Sequence, residues 1–309
     1  MKPKAIKALT PALFLAVFML FSGALQAKAA AALFDPANFV LIRGSEFPMG
    51  SPEGEVGRAE VKAAFQKNGI DFNETQHQVR VSNFYMSKYA VTVAEFRIFV
   101  EASSYQTDAE KNGFSVIVSN SKVKKGEGVN WRHGVSGSVR PLSEENHPVL
   151  HVSWNDAVAY CKWLSTKTGK HFRLPTEAER EYACRAGTIT AFNTGQNITI
   201  QQANFISEQG EWRSGTVPVH SFLPNAWGLY NIHGNVNEWC NDWYSGTYYD
   251  ECKVKGTVTN PAGPASGSYP VIRGGSWYSL AEYCRSAYRS YGTPDFRNYS
   301  IGFRLVFVP

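Results

Sequence analysis

The stretch His147-Pro148-Val149-Leu150-His151-Val152-Ser153-Trp154-Asn155-Asp156-Ala157-Val158-Ala159-Tyr160-Cys161, followed by Arg173-Leu174-Pro175-Thr176-Glu177-Ala178-Glu179, decides how the rest of the chain is read. Each half carries a helix start. Ser153 with Asp156, and Thr176 with Glu179, put a hydroxyl at the cap and a carboxylate three residues later, and apolar residues follow at helical spacing. Pro175 suits a chain turning into a helix. Upstream, Thr92-Val93-Ala94-Glu95 repeats the arrangement before Phe96, Phe99 and Val100. His147 and His151 have the spacing of two ligands on one helix face, but Pro148 argues against a helix there, and structural histidines are the better expectation.

Beyond Gly187 no apolar period of 3.6 survives for more than a turn, while Gly, Asn, Pro, Ser and aromatic residues recur. That predicts loops with short strands, held by buried aromatics, disulfides or metal ions. Residues 103 to 146 read as a second loop-rich excursion over the surface. No internal repeat is present, and composition does not shift along the chain, so residues 31 to 309 are expected to form one domain.

At the N-terminus Lys2, Lys4 and Lys7 precede an apolar run from Ala12 to Leu25 that ends in small residues. The run is shorter than the roughly 20 residues a membrane span needs. Residues 1 to 30 therefore read as a signal peptide, and the protein as exported, periplasmic or secreted, with no stable membrane span. Removing Lys2, Lys4, Lys7 and Lys28 takes the basic count from 31 to 27 against 26 acidic side chains, so the net charge of +5 falls to about +1. Lys122, Lys124 and Lys125 form the only dense basic cluster, which argues against nucleic acid as a partner. The five cysteines, Cys161, Cys184, Cys240, Cys252 and Cys284, lack CxxC spacing. Structural thiols or disulfides are expected of them.

The opening stretch resembles the core signature of the formylglycine-generating enzyme, or sulfatase-modifying factor, family. The resemblance runs on through Phe47-Pro48-Met49-Gly50, His77-Gln78-Val79, Asn130-Trp131-Arg132-His133, Trp227-Gly228-Leu229-Tyr230-Asn231-Ile232, Arg273-Gly274-Gly275-Ser276-Trp277 and Ile301-Gly302-Phe303-Arg304. It implies a complex α/β (α+β) fold related to C-type lectins, loop-rich and low in regular secondary structure, with structural calcium. Asn231 to Glu238 offers calcium hard oxygen donors in a glycine-containing turn. By resemblance the ligands are the side chains of Asn231 and Glu238 and the carbonyls of Gly234 and Val236. A second, weaker calcium site maps to Asn204, Phe205, Glu211 and Arg213.

The family's copper cysteines lie three and eight residues after the serine of the Gly-Gly-Ser motif. Counting from Ser276, those positions are Ser279 and Cys284. A serine hydroxyl cannot replace a thiolate on copper(I), so neither copper as a cofactor nor oxidation of cysteine to formylglycine is expected. Asn237 stands where active members carry tryptophan, and the segment after Cys284 is shorter. The same frames place Cys240 and Cys284 beside the former active-site face as one candidate disulfide, with Cys161 and Cys184 as another.

Between the Arg-Gly-Gly-Ser-Trp and Ile-Gly-Phe-Arg frames lie Tyr278, Leu280, Glu282, Tyr283, Tyr288, Arg289, Tyr291, Phe296 and Tyr299. Tyrosine-rich, arginine-bearing loops make good contact surfaces, although about half of such aromatics are expected to be buried. The expectation is binding of a small-molecule, peptide or protein ligand in the cell envelope on the former active-site face. The alternatives are an oxidoreductase-like enzyme of pyoverdine-maturation type, a genuine formylglycine-generating oxidase, and a retroelement-diversified lectin-fold binding protein.

Overall fold

Short elements alternate with long loops in the computed structural model, which describes residues 34–308. The expected signal peptide lies outside the described residues. The first elements are β1 (Phe39–Ile42), β2 (Glu46–Met49), α1 (Arg58–Lys67), β3 (His77–Arg80), β4 (Phe84–Ser87), α2 (Val93–Ser103) and α3 (Asp108–Asn112). Next come β5 (Phe114–Ser119), β6 (Lys122–Glu127), α4 (Trp154–Thr168), β7 (His171–Arg173) and α5 (Glu177–Arg185). The last are β8 (Asn237–Trp243), α6 (Tyr248–Lys255), β9 (Val258–Thr259), β10 (Pro270–Arg273), β11 (Ser290–Tyr291), β12 (Ile301–Gly302) and β13 (Val306–Val308). Residues Asn38–Pro309 make one compact unit. No helix among the described residues is long and apolar enough to cross a membrane.

The three expected capping boxes are all formed. Thr92, Ser153 and Thr176 each accept from the backbone N–H three residues on, and the acid at that position returns to the cap N–H. A cap of this kind contributes about 1 kcal/mol. A fourth box, Thr107 with Glu110, starts α3.

That box belongs to a correction, because residues 103 to 146 are not simply a surface loop. They hold α3 and the β5–β6 hairpin, registered from Phe114 opposite Glu127 to Ser119 opposite Lys122. Asn120 and Ser121 turn the chain with φ of 51° and 57°, the left-handed pair that a two-residue hairpin turn requires. Lys122, Lys124 and Lys125 lie on the exposed strand β6, whose two solvated faces leave no alternation to read.

Two four-stranded sheets organise the unit, in the orders β1-β4-β13-β7 and β11-β10-β8-β12; β12 runs parallel to β8 and the other pairs are antiparallel. Helix α5 packs on β2, β8 and β10. All nine of its residues are buried, five of them charged. Such burial is tolerable only with partners. Arg180 donates to Glu238 at 2.6 Å, Glu181 pairs with Arg185 and Arg273, and Glu177 holds Arg289 through two bonds of 2.7 and 2.9 Å.

Candidate ligand cavity

The second sheet lends one face to a cavity of about 490 Å³. Asn237 of β8, Ile272 of β10, Ser290 and Tyr291 of β11 and Ile301 of β12 form its floor. Tyr278, Ser279, Leu280, Tyr283, Tyr288, Phe296 and Asn298 complete the walls, so no charged side chain lines it. Leu280 and Phe296 are exposed at the rim, whereas Tyr288 is buried. The Asn237 side-chain amide has no hydrogen-bond partner among the described residues. Asn298 uses its Oδ1 to accept from the Ser300 amide and hydroxyl.

Ser279 faces this cavity and is held by Ser276, whose N–H donates to its Oγ at 3.1 Å; the two hydroxyls are also 3.1 Å apart. Cys284 does not join them. It ends a 3-10 turn, Ala281–Cys284, and its fully buried side chain packs with Phe192, Ala203 and Phe205. Gly275, at φ +70°, passes so close that a Cβ there would strike the Cys284 sulfur. Burial pushes the Cys284 thiol well above its usual range, so it is held neutral.

Three of the expected contact residues do not reach the cavity. Arg289 is a core residue, bonded to Glu177 and lying 3.8 Å from the centre of the Tyr249 ring. Glu282 packs against Gly57 at the start of α1, and Tyr299 lies edge-on to Trp277 and Tyr278. A residue not singled out from sequence stands beside the wall instead. Trp212 stacks on Trp277 at 5.4 Å, with ring planes 6° apart, and meets Tyr278 at 5.5 Å. The Ile206 N–H donates to the Ser279 carbonyl at 2.8 Å, which draws this distant segment to the rim. A lone tryptophan in a polar loop gave no periodic signal.

The calcium readings divide. Glu238, the expected charged ligand, is fully buried between Arg180 and Arg304, with Arg304 donating through two nitrogens at 2.7 Å each. Burial opposes its ionisation, but the two guanidiniums outweigh that and hold it below the usual carboxylate range. Its charge is therefore already matched. The donors that fit a cation are the side-chain oxygens of Asn231 and Asn204, both buried and both without a partner. Their amide nitrogens donate elsewhere, Asn231 to the Val219 carbonyl at 2.9 Å and Asn204 to the Gly215 carbonyl at 3.0 Å. Gly234 and Val236 lie on the same turn as Asn231, and the Gly234 carbonyl accepts from the Val236 N–H at 2.8 Å. In the second set Phe205 is buried while Glu211 and Arg213 are exposed.

The histidines of the opening stretch are structural. His151, at φ 59°, is fully buried between the Ser115 hydroxyl and the Gly134 carbonyl, and burial pulls its pKa to about 3. His147 meets the Thr216 hydroxyl. All five cysteines are free and buried, so neither expected disulfide is formed.

The model of the sulfatase-modifying factor enzyme 1-like domain matches residues 26–308. The chain belongs to this family. It is 42% identical over 260 residues to the formylglycine-generating enzyme of Mus musculus, covering 74% of this chain and 67% of that protein. It is 31% identical to the inactive C-alpha-formylglycine-generating enzyme 2 of Bos taurus, with 87% of each chain covered. The solved structure of PvdO from Pseudomonas aeruginosa matches with a TM-score of 0.65 and 28% identity, over 88% of this chain and 94% of that one. The fold expected from sequence is thus the fold observed.

Proposed function

We propose that this family member is an exported binding protein that holds a ligand in the uncharged cavity beside Ser279 and does not make formylglycine. The observation that carries the reading is the division of the two copper positions. Ser279 brings a hydroxyl to the cavity, and the one thiol of the pair, on Cys284, packs into an apolar cluster behind Gly275. Copper(I) needs soft thiolate ligands, and a thiol held neutral by burial is neither a ligand nor a nucleophile. The similarity to a bovine relative named as inactive is in keeping with this. Structural calcium is part of the proposal, supported by the two orphaned amide oxygens of Asn231 and Asn204.

A second reading, a working oxidoreductase, is favoured by the 42% identity to the mouse enzyme. Incubation with copper(I), oxygen and a Cys-x-Pro-x-Arg peptide, followed by mass spectrometry, separates the two. Unmodified peptide is expected; conversion that disappears in Cys284→Ala returns the chain to the enzymes.

A further inference from the structure

We infer that the ligand of this cavity is an uncharged saccharide, an inference that rests on the binding role proposed above. The first argument is what the walls lack. An ionic ligand would lose hydration without meeting a counter-charge, which disfavours it against a neutral one. Arg289 is paired with Glu177, Arg297 donates to the Phe114 and Asp295 carbonyls, and Glu282, whose Cβ packs near Gly57, is not among the lining residues.

What the walls offer is the second argument. Asn237, Asn298, Ser279, Ser290 and the tyrosine hydroxyls are neutral groups that present donors and acceptors side by side. A sugar hydroxyl also donates and accepts, so it pairs with such groups in either sense. Between them lie ring surfaces, Tyr278, Tyr283, Tyr291 and Phe296, and Trp212 extends the array behind Tyr278, which it meets at 5.5 Å. The negative face of an aromatic ring attracts the weakly positive C–H face of a pyranose. An apolar wall with a few convergent neutral polar groups, at about 490 Å³, is within the size range of small-molecule sites.

A peptide fits less well. An extended peptide gains most of its affinity by adding a strand to an open edge. The edge strands at this cavity, β11 and β12, are two residues each, and Asn298 is already bridged to Val116. A peptide would bury amides that these edges cannot pair.

The test uses the mature full chain, with indole fluorescence and the indole N–H resonances followed during titration with neutral tetrasaccharides of glucose and of N-acetylglucosamine, a sulfated tetrasaccharide, and an uncharged peptide. Saturable binding of a neutral tetrasaccharide is expected, weakened at least tenfold by Trp212→Ala and abolished by Ser279→Trp, which fills the cavity. Asn237→Ala serves as a milder second variant, and unchanged circular dichroism verifies each fold. Preference for the sulfated sugar overturns the uncharged class. Peptide binding blocked by Ser279→Trp, without sugar binding, overturns the saccharide but leaves the binding role standing. Absence of any binding that Ser279→Trp blocks sinks both.

Discussion

The frame around α5 and the cavity beside Ser279 share two strands, yet one is built of buried charge and the other has no charge at all. Arg180, Glu181, Glu177, Arg273, Glu238 and Arg304 cross between α5, β8, β10 and the approach to β13, each carboxylate meeting a guanidinium. Buried pairs of this kind are not strong stabilisers relative to apolar packing, but they penalise every arrangement that separates them. In a fold with little regular secondary structure they supply the register that long hydrogen-bond ladders would otherwise give. The cavity wall has no such obligation. Its side chains can change without stranding a charge, so the frame can persist while the chemistry beside it is lost.

Removing a charge from the frame should have the largest effect. Glu238→Ala leaves Arg180 and Arg304 buried with no carboxylate between them, and a loss of about 3–5 kcal/mol is expected, read as a lower midpoint in urea unfolding. Glu238→Gln keeps an acceptor and should cost less. A Glu238→Ala protein as stable as the wild type would show that the guanidiniums find water and that the frame is not set by charge.

Asp156, a buried carboxylate at the start of α4, has no ion-pair partner among the described residues, and its contribution depends on pH. Asp156 accepts from the N–H groups of Ser153 and Asp108 and from the Tyr105 hydroxyl. Burial raises its pKa from 3.8 to about 6, against the pull of those hydrogen bonds. Its folded pKa lies above the unfolded one, so the native state binds the proton more tightly and stability falls as pH rises through this window. Between about pH 4 and 6 the wild type should lose on the order of 2–3 kcal/mol relative to Asp156→Asn, measured by denaturation at each pH. Parallel profiles for the two proteins would mean that Asp156 stays ionised throughout.

The calcium proposal is expected to have a smaller effect. A cation bound to the native state alone stabilises it by mass action, about 1–3 kcal/mol at concentrations well above the dissociation constant. Chelation should therefore lower the melting temperature of the wild type and leave that of Asn231→Ala unmoved by calcium. Equal melting curves with and without chelator in the wild type would leave the orphaned Asn231 oxygen to water.

The same contrast explains what could be read without coordinates. The capping boxes at Thr92, Ser153 and Thr176 were legible because they are local, a hydroxyl and a carboxylate three residues apart. The family frames were legible because they carry so many Arg, Trp and Gly residues in fixed order. The β5–β6 hairpin was not, since both faces of β6 are solvated and its lysines resemble a loop. Trp212 was missed because tertiary contacts, among them the bond from Ile206 to Ser279, bring its loop beside the wall. Arg289 was misassigned for the reverse reason. An arginine among tyrosines looks like a contact residue until its partner, Glu177, is found far away in sequence.

The smallest expected effect lies at the residue that matters most for the chemistry. In Ser279→Ala the Ser276 N–H loses its side-chain acceptor and the pair of hydroxyls is broken. Ser276 is buried but Ser279 lines the cavity, so water taking the place of the lost hydroxyl can serve the Ser276 N–H, and the cost should be about 1 kcal/mol. The midpoint should shift by no more than about a third of the Glu238→Ala effect, with an unchanged denaturant slope. A loss comparable to that of the frame variants would mean that the serine pair clamps the turn to Cys284. The cavity wall would then be as constrained as the frame, and Ser279 would be retained for folding rather than free to vary.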